Sequence, residues 1–332
     1  MDNYTPPFTI TNKMLNKCIS ISKKMVTIDY STLDRMPRLR RNKLITSIHA
    51  SLAIEGNTLS KGQVRDIIDG KEVVGPEREI KEVQNIKLAY DQLTKVKPYV
   101  EKDLLKIHEI IEKDLIPSPG KYRKGNEGVF AGDKCIFICP PPHQVPYLMT
   151  ELFDWLNREK KNINPLILSS VFHYEFVFIH PFQDGNGRTA RFWQNALLAK
   201  YNKIFEVVTI ENMIEKNQQK YYDAIAKAHV DGESTFFVEF MLDMIDKALD
   251  ELNVVANMIK TESSVNVKRL VDIMDEDPMS ANEIMIRLNI KHKDTLRNKY
   301  LNCAIRDGYV QMTIPDKPKS KNQRYYKTNL DI

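Results

Sequence analysis

The chain has 332 residues, 42% of them hydrophobic, a length beyond the usual size of one domain that predicts two or more packed units. Its 49 basic and 44 acidic residues leave a formal charge of +5, too small to indicate a nucleic acid or membrane partner by itself. The four cysteines lack the spacing of a disulfide scaffold or a zinc site, and no signal peptide or membrane span is recognisable. We therefore expect a cytoplasmic protein without membrane contact.

Helical periodicity dominates the chain. Apolar residues recur at Leu44, Ile48 and Leu52, and again through residues 104–111, so that each predicted helix carries one apolar stripe. These patterns predict a mainly α fold.

One segment departs from the helical pattern. Between residues 117 and 146, glycines separate short apolar pieces, which predicts a β-hairpin that turns near residues 131–134. The prolines at 140–142 should end its second strand, and a helix carrying Leu152 and Trp155 should follow.

The segment from His180 to Arg191, HPFQDGNGRTAR, has the features of a phosphate site. Pro181 should end one helix, and residues 184–187 should form a glycine-rich loop at the N-terminus of the next helix. Backbone amides and the helix dipole attract anions there, and two arginines follow three residues apart. Asp184 is suited to hold Mg²⁺, and His180 can accept a proton near neutral pH.

A second, smaller region is predicted at the C-terminus. A helix from Phe236 to about Met258 leads into residues 261–264, which we interpret as a linker. Residues 280–283 form a capping box, a helix follows over 293–306, and strands are predicted at 309–314 and 324–327. This order predicts a helix-turn-helix with a β-wing.

The C-terminal region is basic. From Arg287 to Ile332 there are eleven Lys or Arg against four acids, a balance of +7. DNA binding through the predicted recognition helix is one interpretation of this charge. Docking to a protein, or simple solubility, is the other.

The segment HPFQDGNGRTAR resembles the signature of the Fic domain, HPFx[DE]GNGRxxR, at every defined position. The resemblance implies a helical bundle with a β-hairpin flap, whose members mostly transfer AMP from ATP to a hydroxyl of a target protein. It implies that His180 deprotonates this hydroxyl, that Asp184 holds Mg²⁺, and that Arg191 holds the γ-phosphate. The remaining motif residues are implied to anchor the loop or bind the other phosphates: Phe182, Gly185, Asn186, Gly187 and Arg188.

Two further regions resemble the family less closely. The hairpin of residues 128–142 is similar to the flap that pairs with the target segment by β-addition. The resemblance implies that Tyr222 and His229 contact the nucleoside, although an Asn is common at the latter position and either Tyr221 or Tyr222 can instead be part of the core. The flap residues implied to contact the target are Gly132, Lys134, Ile136, Phe137 and Ile138.

Residues 51–57, SLAIEGN, resemble the inhibitory motif [ST]xxxE[GN] of the family. Ser51 and Glu55 lie four residues apart, which places both on one side of a helix ending at Gly56. The resemblance implies that Glu55 pairs with Arg191, and we expect a bidentate pair that removes the guanidinium from the γ-phosphate. Family members with this glutamate can also remove AMP, and the sequence does not rank the two directions.

The resemblance divides the chain into three regions. These are an N-terminal helical region with the inhibitory helix over 1–95, a Fic catalytic core over 96–260, and a winged-helix domain over 265–332. The first expected partner is a target protein docked on the flap, and this target can be the chain itself. The others are DNA at the C-terminal domain and a second copy of the chain in a homodimer. Two alternatives stay open: a nucleotide-sensing, DNA-binding transcriptional regulator, and an enzyme that transfers phosphate, UMP or phosphocholine.

Overall fold

Helices make up most of the protein, in agreement with the predicted mainly α fold. The computed structural model describes residues 4–30, 33, 36–131, 134–275 and 277–328, with side chains for all of these except 129–136 and 262–263. The chain separates into two compact units, Met1–Asn253 and Val254–Ile332. Within the described part of the chain, no helix is long and apolar enough to cross a membrane.

Up to Ile273 the described elements are eleven α-helices, a two-stranded hairpin and two short 3-10 helices, at Pro142–Gln144 and Lys203–Glu206; the eleventh helix begins in the first unit and ends in the second. In chain order they are α1 (Asn12–Thr27), α2 (Pro37–Ile54), α3 (Lys61–Ile68), α4 (Glu77–Tyr90), α5 (Glu101–Ile111), β1 (Gly128–Ala131), β2 (Lys134–Ile138), α6 (Val145–Glu159), α7 (Pro165–Ile179), α8 (Asn186–Tyr201), α9 (Ile210–Lys216), α10 (Gln218–Asp231) and α11 (Thr235–Ile273).

Helices α7 and α8 form the centre of this unit and hold the predicted phosphate loop between them. Asn164 caps α7 by accepting from the amide of Leu166, and Pro165 occupies its first turn. Phe172 and Phe176 of α7 and Trp193 of α8 are fully buried. Since each buried aromatic contributes a few kcal/mol, roughly 2–3 by area, the position of the loop is set by the best-packed part of the core.

The predicted hairpin is present. Strands β1 and β2 pair antiparallel, with a shift of register between Val129 and Phe130. Gly132 lies outside the described residues, and the side chains of Lys134 and Ile136 are not described. A 3-10 turn and α6 follow the prolines, as predicted.

The predicted linker at residues 261–264 is wrong. Helix α11 continues through it to Ile273. This segment holds no Gly or Pro, and the Thr261 hydroxyl donates to the carbonyl of Asn257 at 3.0 Å, an arrangement that a helix accommodates. Val267 and Leu270 then resume the buried apolar pattern. Polar composition alone therefore did not end the helix.

The second unit has its own small core around Leu270, Ile284 and Leu301. Ser280 and Glu283 form the predicted capping box, and β3 (Met279–Ser280) pairs antiparallel with β5 (Arg324–Lys327). The short strand β3 was not predicted. The elements are β3 (Met279–Ser280), α12 (Ala281–Leu288), α13 (Lys293–Thr295), a π-helical stretch (Leu296–Leu301), α14 (Asn302–Arg306), β4 (Val310–Met312) and β5 (Arg324–Lys327). The winged-helix assignment stays a prediction.

Candidate active site

The loop between α7 and α8 is fixed by its own side chains. His180 ends α7 in the left-handed region, with φ of 50°. The Asn186 side chain bonds both the amide and the carbonyl of Phe182, at 3.0 and 2.8 Å. Phe182 is fully buried and stacks on His108 with a centroid distance of 3.5 Å. The loop is therefore a rigid platform at the start of α8.

Two glycines leave room for carboxylates beside this platform. Gly185 has φ of 76°, and a Cβ there would collide with the Glu112 side chain. A Cβ at Gly187 would collide with the Glu55 carboxylate and would lie 3.1 Å from Arg191 Nη1. The first-turn amides of α8 have no preceding helical turn to supply acceptors. The free amides, and the space that the glycines leave and the two carboxylates now occupy, suit an anion.

Arg191 is held by residues of α2 and its C-terminal end, where the sequence resembles the inhibitory motif. Its Nη2 donates to Glu55 Oε1 at 2.7 Å and to the carbonyl of Ser51 at 2.9 Å, and its Nε donates to Ser51 Oγ at 3.2 Å. The expected pairing is present, but the geometry differs from the bidentate pair we predicted. One carboxylate oxygen takes one guanidinium nitrogen, because Ser51 occupies the remaining donors on that edge.

The pair joins a buried cation to a carboxylate at the surface. The Arg191 side chain is 1% exposed, whereas the Glu55 side chain is 35% exposed. Burial lowers the pKa of the Arg191 guanidinium, but the charge and hydrogen bond of Glu55, together with Tyr221 and Tyr222, raise it above its ordinary value. Arg191 Nη1 is buried without a hydrogen-bond partner among the described residues. This donor, beside the Gly187 opening, is available to an anionic ligand.

Arg188 points to different neighbours. It lies within ion-pair distance of three carboxylates, those of Glu82, Glu112 and Asp184, at 3.5, 3.2 and 3.0 Å. Burial raises the pKa of the Glu112 carboxyl to about 7, although Arg188 opposes the shift. Arg188 is thus surrounded by acids, and its predicted contact with phosphate stays a prediction.

Asp184, the predicted magnesium ligand, is occupied on both oxygens. Oδ1 accepts from Arg188 at 3.0 Å and from the amide of Gly185 at 2.6 Å. Oδ2 accepts from Nη2 of Arg78 at 2.8 Å. Arg78 lies in the first turns of α4, and nothing in its local sequence identifies it as a partner of this loop.

The predicted base, His180, lies beside a buried arginine that was not predicted. Arg123 Nε donates to the His180 carbonyl at 2.7 Å, and its Nη2 donates to the carbonyl of Pro140 at 2.5 Å. Burial lowers the pKa of His180, Arg123 lowers it further, and a hydrogen bond with the backbone of Val177 opposes both. At neutral pH the imidazole is therefore neutral and able to accept a proton.

Comparison with known proteins shows the family of the chain. A family model described as the Fic/DOC family matches residues 93–198. A second, described as Filamentation induced by cAMP protein Fic-like, C-terminal domain, matches residues 265–328. A crystal structure of a Fic family protein from Desulfovibrio desulfuricans is 39% identical, with a TM-score of 0.72, over 99% of this chain and 100% of that chain. The chain belongs to the Fic family.

Relatives of this Fic protein carry the name protein adenylyltransferase Fic. The relative from Culex quinquefasciatus is 33% identical over 224 residues, which are 65% of this chain and 43% of the relative. The one from Drosophila mojavensis is 30% identical over 247 residues, 69% of this chain and 47% of the relative. The Fic protein thus spans less than half the length of these curated relatives.

The predicted nucleoside contacts of the Fic protein lie around His180 and Glu55. The Tyr222 ring is 43% exposed, and its hydroxyl donates to the carbonyl of Ile54 at 2.9 Å. His229 packs against Phe137 of the flap with a centroid distance of 4.0 Å and bonds the Tyr174 hydroxyl at 2.9 Å. Burial lowers the pKa of His229 to about 4. Their roles toward a nucleotide stay predictions.

Tyr221 and the described flap residues Phe137 and Ile138 have different surroundings. Tyr221 is buried, with its hydroxyl 2.9 Å from a ring nitrogen of His173, and is part of the core. Ile138, at the end of β2, is 77% exposed. Of the described flap side chains, Phe137 thus faces the site and Ile138 faces solvent.

Proposed function

We propose that this Fic protein transfers AMP from ATP to a hydroxyl side chain of a target protein. The observation that carries the proposal is the position of His180 at one end of a rigid loop whose other end joins the first turn of α8 and the guanidinium of Arg191, now held by Glu55. The names of the curated relatives support the same activity.

The geometry fits an in-line displacement at the α-phosphorus. His180 takes the proton of the target hydroxyl, the oxygen forms a bond to the α-phosphorus, and the bond to the β-phosphate oxygen breaks, so that pyrophosphate leaves. The amides at Gly187 and the guanidinium of Arg191 are fixed before the reaction, where negative charge collects on the phosphates. The flap presents the hydroxyl by backbone pairing, so the target stays undefined by sequence.

We further propose that Glu55 restrains this reaction. Its carboxylate fills the space above Gly187 and takes the Nη2 donor of Arg191, so a triphosphate cannot use either. Removal of AMP from a modified target with Glu55 positioning water is the second direction of the same proposal. A cytoplasmic location and a homodimer stay predictions.

Mg²⁺ is part of the proposal, with Asp184 as its protein ligand. In the described residues no cluster of three His, Cys, Asp or Glu side chains suited to a metal occurs. A single carboxylate is enough, because Mg²⁺ usually takes one or two carboxylates together with phosphate oxygens. Asp184 fits, since its side chain is 39% exposed beside the anion site. Bound there, Mg²⁺ would neutralise charge on the phosphates.

Arg78→Ala is expected to strengthen magnesium binding. Arg78 now holds Asp184 Oδ2 at 2.8 Å and would have to leave it when a cation binds. Because an exposed ion pair contributes up to about 1 kcal/mol, the Kd for Mg²⁺ should fall about two- to fivefold. Titration calorimetry with a non-hydrolysable ATP analogue present measures this directly. The control is Lys81→Ala, which removes another cation of α4, one that is paired with Asp114, and should leave the Kd unchanged. Equal effects of both variants would contradict the prediction.

The transferred group is tested by mass spectrometry. Intact Glu55→Gly protein, incubated with ATP and Mg²⁺, should gain the mass of AMP on itself or on an added target. A gain of phosphate from ATP, or of UMP or phosphocholine when the corresponding donor replaces ATP, would replace AMP transfer by one of the alternative chemistries. No adduct under any nucleotide would favour the regulator, in which the site senses the nucleotide only.

The regulator is a second candidate because the second unit presents exposed cations. Lys293 and Arg297 lie exposed on the helical segment of residues 293–306, and Lys317, Lys319 and Lys321 are exposed in the loop between β4 and β5. If they bind DNA, the full chain should bind duplex DNA with an affinity that falls steeply with salt. Replacing Lys293 and Arg297 by Gln should weaken binding and lower the salt slope by about 2. Absence of binding at low salt would leave protein docking.

A further inference from the structure

A second cavity opens behind the anion site. It has a volume of about 390 Å³ and is lined by residues of α2, α4 and α8 and of the segment after α8. None of the residues from His180 to Arg191 lines it. Its size is in the range of small-molecule sites, which combine apolar walls with a few polar groups. Its cations are Arg40, Arg41 and Lys43 of α2, and its uncharged polar groups include Ser47, Tyr90 and Asn195. The lining also holds two acids that already have cationic partners, Asp91 with Lys87 and Glu206 with Arg40.

The cavity contains a cation without a counter-charge. Lys43 is half-buried, and no described carboxylate lies within ion-pair distance of it. Burial lowers its pKa, Lys61 and Lys216 lower it further, and only Glu251 opposes them. The two arginines at the cavity are more exposed and are paired, Arg40 with Glu206 and Arg41 with Asp69. A ligand carboxylate or phosphate would supply the missing partner of Lys43.

A buried polar cluster forms part of the cavity wall. The Glu211 carboxylate accepts from Ser47 Oγ at 3.1 Å and also from the Tyr90 hydroxyl and the Asn195 amide. Burial raises the pKa of Glu211, and Tyr90, Ser47 and Arg191 oppose the shift. The hydroxyl and amide groups of this cluster line the cavity, so a bound ligand would contact them.

The same two helices connect the cavity to Arg191. Ser47, Ser51 and Glu55 follow one another at intervals of four on α2, and Arg191 and Asn195 do so on α8. Ser47 and Asn195 meet at Glu211, whereas Ser51 and Glu55 meet Arg191 one and two turns further along α2. The cavity and the anion site are therefore the two ends of one contact, about 12 Å apart along the helix.

We propose that this cavity binds a small anionic metabolite with an apolar body, with its anionic group on Lys43, and that occupancy stabilises the contact of Glu55 with Arg191. A ligand that bridges Lys43 and Ser47 of α2 to Asn195 of α8 favours the packing in which it fits. That packing is the one in which Arg191 is taken. The metabolite is then an inhibitor of nucleotide binding, a step that rests on the proposed role of Glu55.

Phenyl phosphate is a suitable probe, because it combines a dianion with an apolar ring. Calorimetry should detect its binding to the full chain, and Lys43→Met should weaken it by at least about tenfold, the loss of one charge-assisted hydrogen bond. Lys43→Met removes an unpaired, half-buried charge, so the variant should unfold at no lower temperature. Lys61→Met removes an exposed neighbouring charge that does not line the cavity and should change the Kd less than twofold.

The position of the probe is read separately. Acylation of lysines followed by peptide mass spectrometry should show protection of Lys43 and none of Lys102, exposed on α5. Three results would each overturn the site. These are no binding at a probe concentration of about 10 mM, binding that is unchanged in Lys43→Met, and protection of other lysines but not of Lys43.

The coupling has its own outcome. Saturating phenyl phosphate should raise the Kd of the wild-type protein for ATP about fivefold, a modest allosteric coupling, and should have no effect in Glu55→Gly. Probe binding without this change would keep the site and overturn the regulation. Failure of AMP transfer alone would contradict only the proposed function, since the affinities for phenyl phosphate and for ATP are both measured without the transfer reaction.

Discussion

Glu55→Gly is expected to raise the rate of AMP incorporation from ATP by about 10- to 100-fold. The substitution frees the Nη2 donor of the buried Arg191 and empties the space above Gly187, both of which a γ-phosphate would use. A hydrogen bond between charged groups contributes about 1.5–3 kcal/mol, and competition from Glu55 withholds this amount from ATP. Initial rates with labelled ATP, measured at equal protein concentration, give the comparison.

The size and charge of Glu55 can be separated. Glu55→Gln keeps the volume above Gly187 but loses the ion pair, so its rate should lie between those of the wild type and Glu55→Gly. Glu72→Gly, in the exposed loop after α3, makes the same replacement away from the site and should leave the rate unchanged. An unchanged rate in Glu55→Gly would remove Glu55 from the proposed mechanism.

The contact between Glu55 and Arg191 could be predicted because each residue belongs to a short local pattern. The glutamate follows a serine by one helical turn, and the arginine follows a glycine-rich turn by one helical turn. The resemblance then supplied the pairing between two segments 136 residues apart. Local patterns did not supply its geometry, because whether Ser51 or Glu55 takes a given donor depends on how α2 lies against α8.

The residues that sequence reasoning missed act through distant contacts. Arg123 binds the carbonyl of His180 from a loop 57 residues earlier, and Arg78 reaches Asp184 across 106 residues. Neither lies in a distinctive spacing. Glu112 had a weak signal in the sequence, since it directly follows the apolar stripe of α5. In the structure it is fully buried. Burial of a carboxylate normally requires a cationic partner, here Arg188, which the sequence does not identify.

His180→Ala in the Glu55→Gly background is expected to lower the rate of AMP transfer by about 10²- to 10⁴-fold, the usual contribution of a general base. ATP binding should change little, because the imidazole faces the attacking hydroxyl while the phosphates are bound at α8. Rates and the Kd for ATP, measured on the same protein, separate these effects. His143→Ala, which replaces an exposed histidine close to the flap, is the matched control.

The backbone at His180 calls for a second variant. Its φ of 50° is a left-handed conformation that alanine adopts with a cost of about 1–2 kcal/mol, whereas asparagine adopts it more readily. His180→Asn should therefore keep the stability of the wild type and still lose transfer. If His180→Asn transferred AMP at the parent rate, the loss in His180→Ala would be a folding effect and the histidine would not be the base.

The pH dependence of Glu55→Gly tests the base independently of any replacement at His180. A general base acts in its neutral form, so the rate is lost as the pH falls through the pKa of that group. Since burial and the charge of Arg123 lower the pKa of His180, more than half of the rate at pH 8 should remain when the pH reaches the ordinary histidine pKa of about 6.5, with the midpoint of the decline below that pH. The Glu112 carboxyl, which contacts Arg188 and has a pKa of about 7, also gains a proton over this range. His229, whose pKa is lowered to about 4, is neutral over that whole range and adds no step of its own. A decline in kcat/KM that is half complete above pH 6.5 would mean that the imidazole is protonated more easily than its burial permits, and that another group carries the proton.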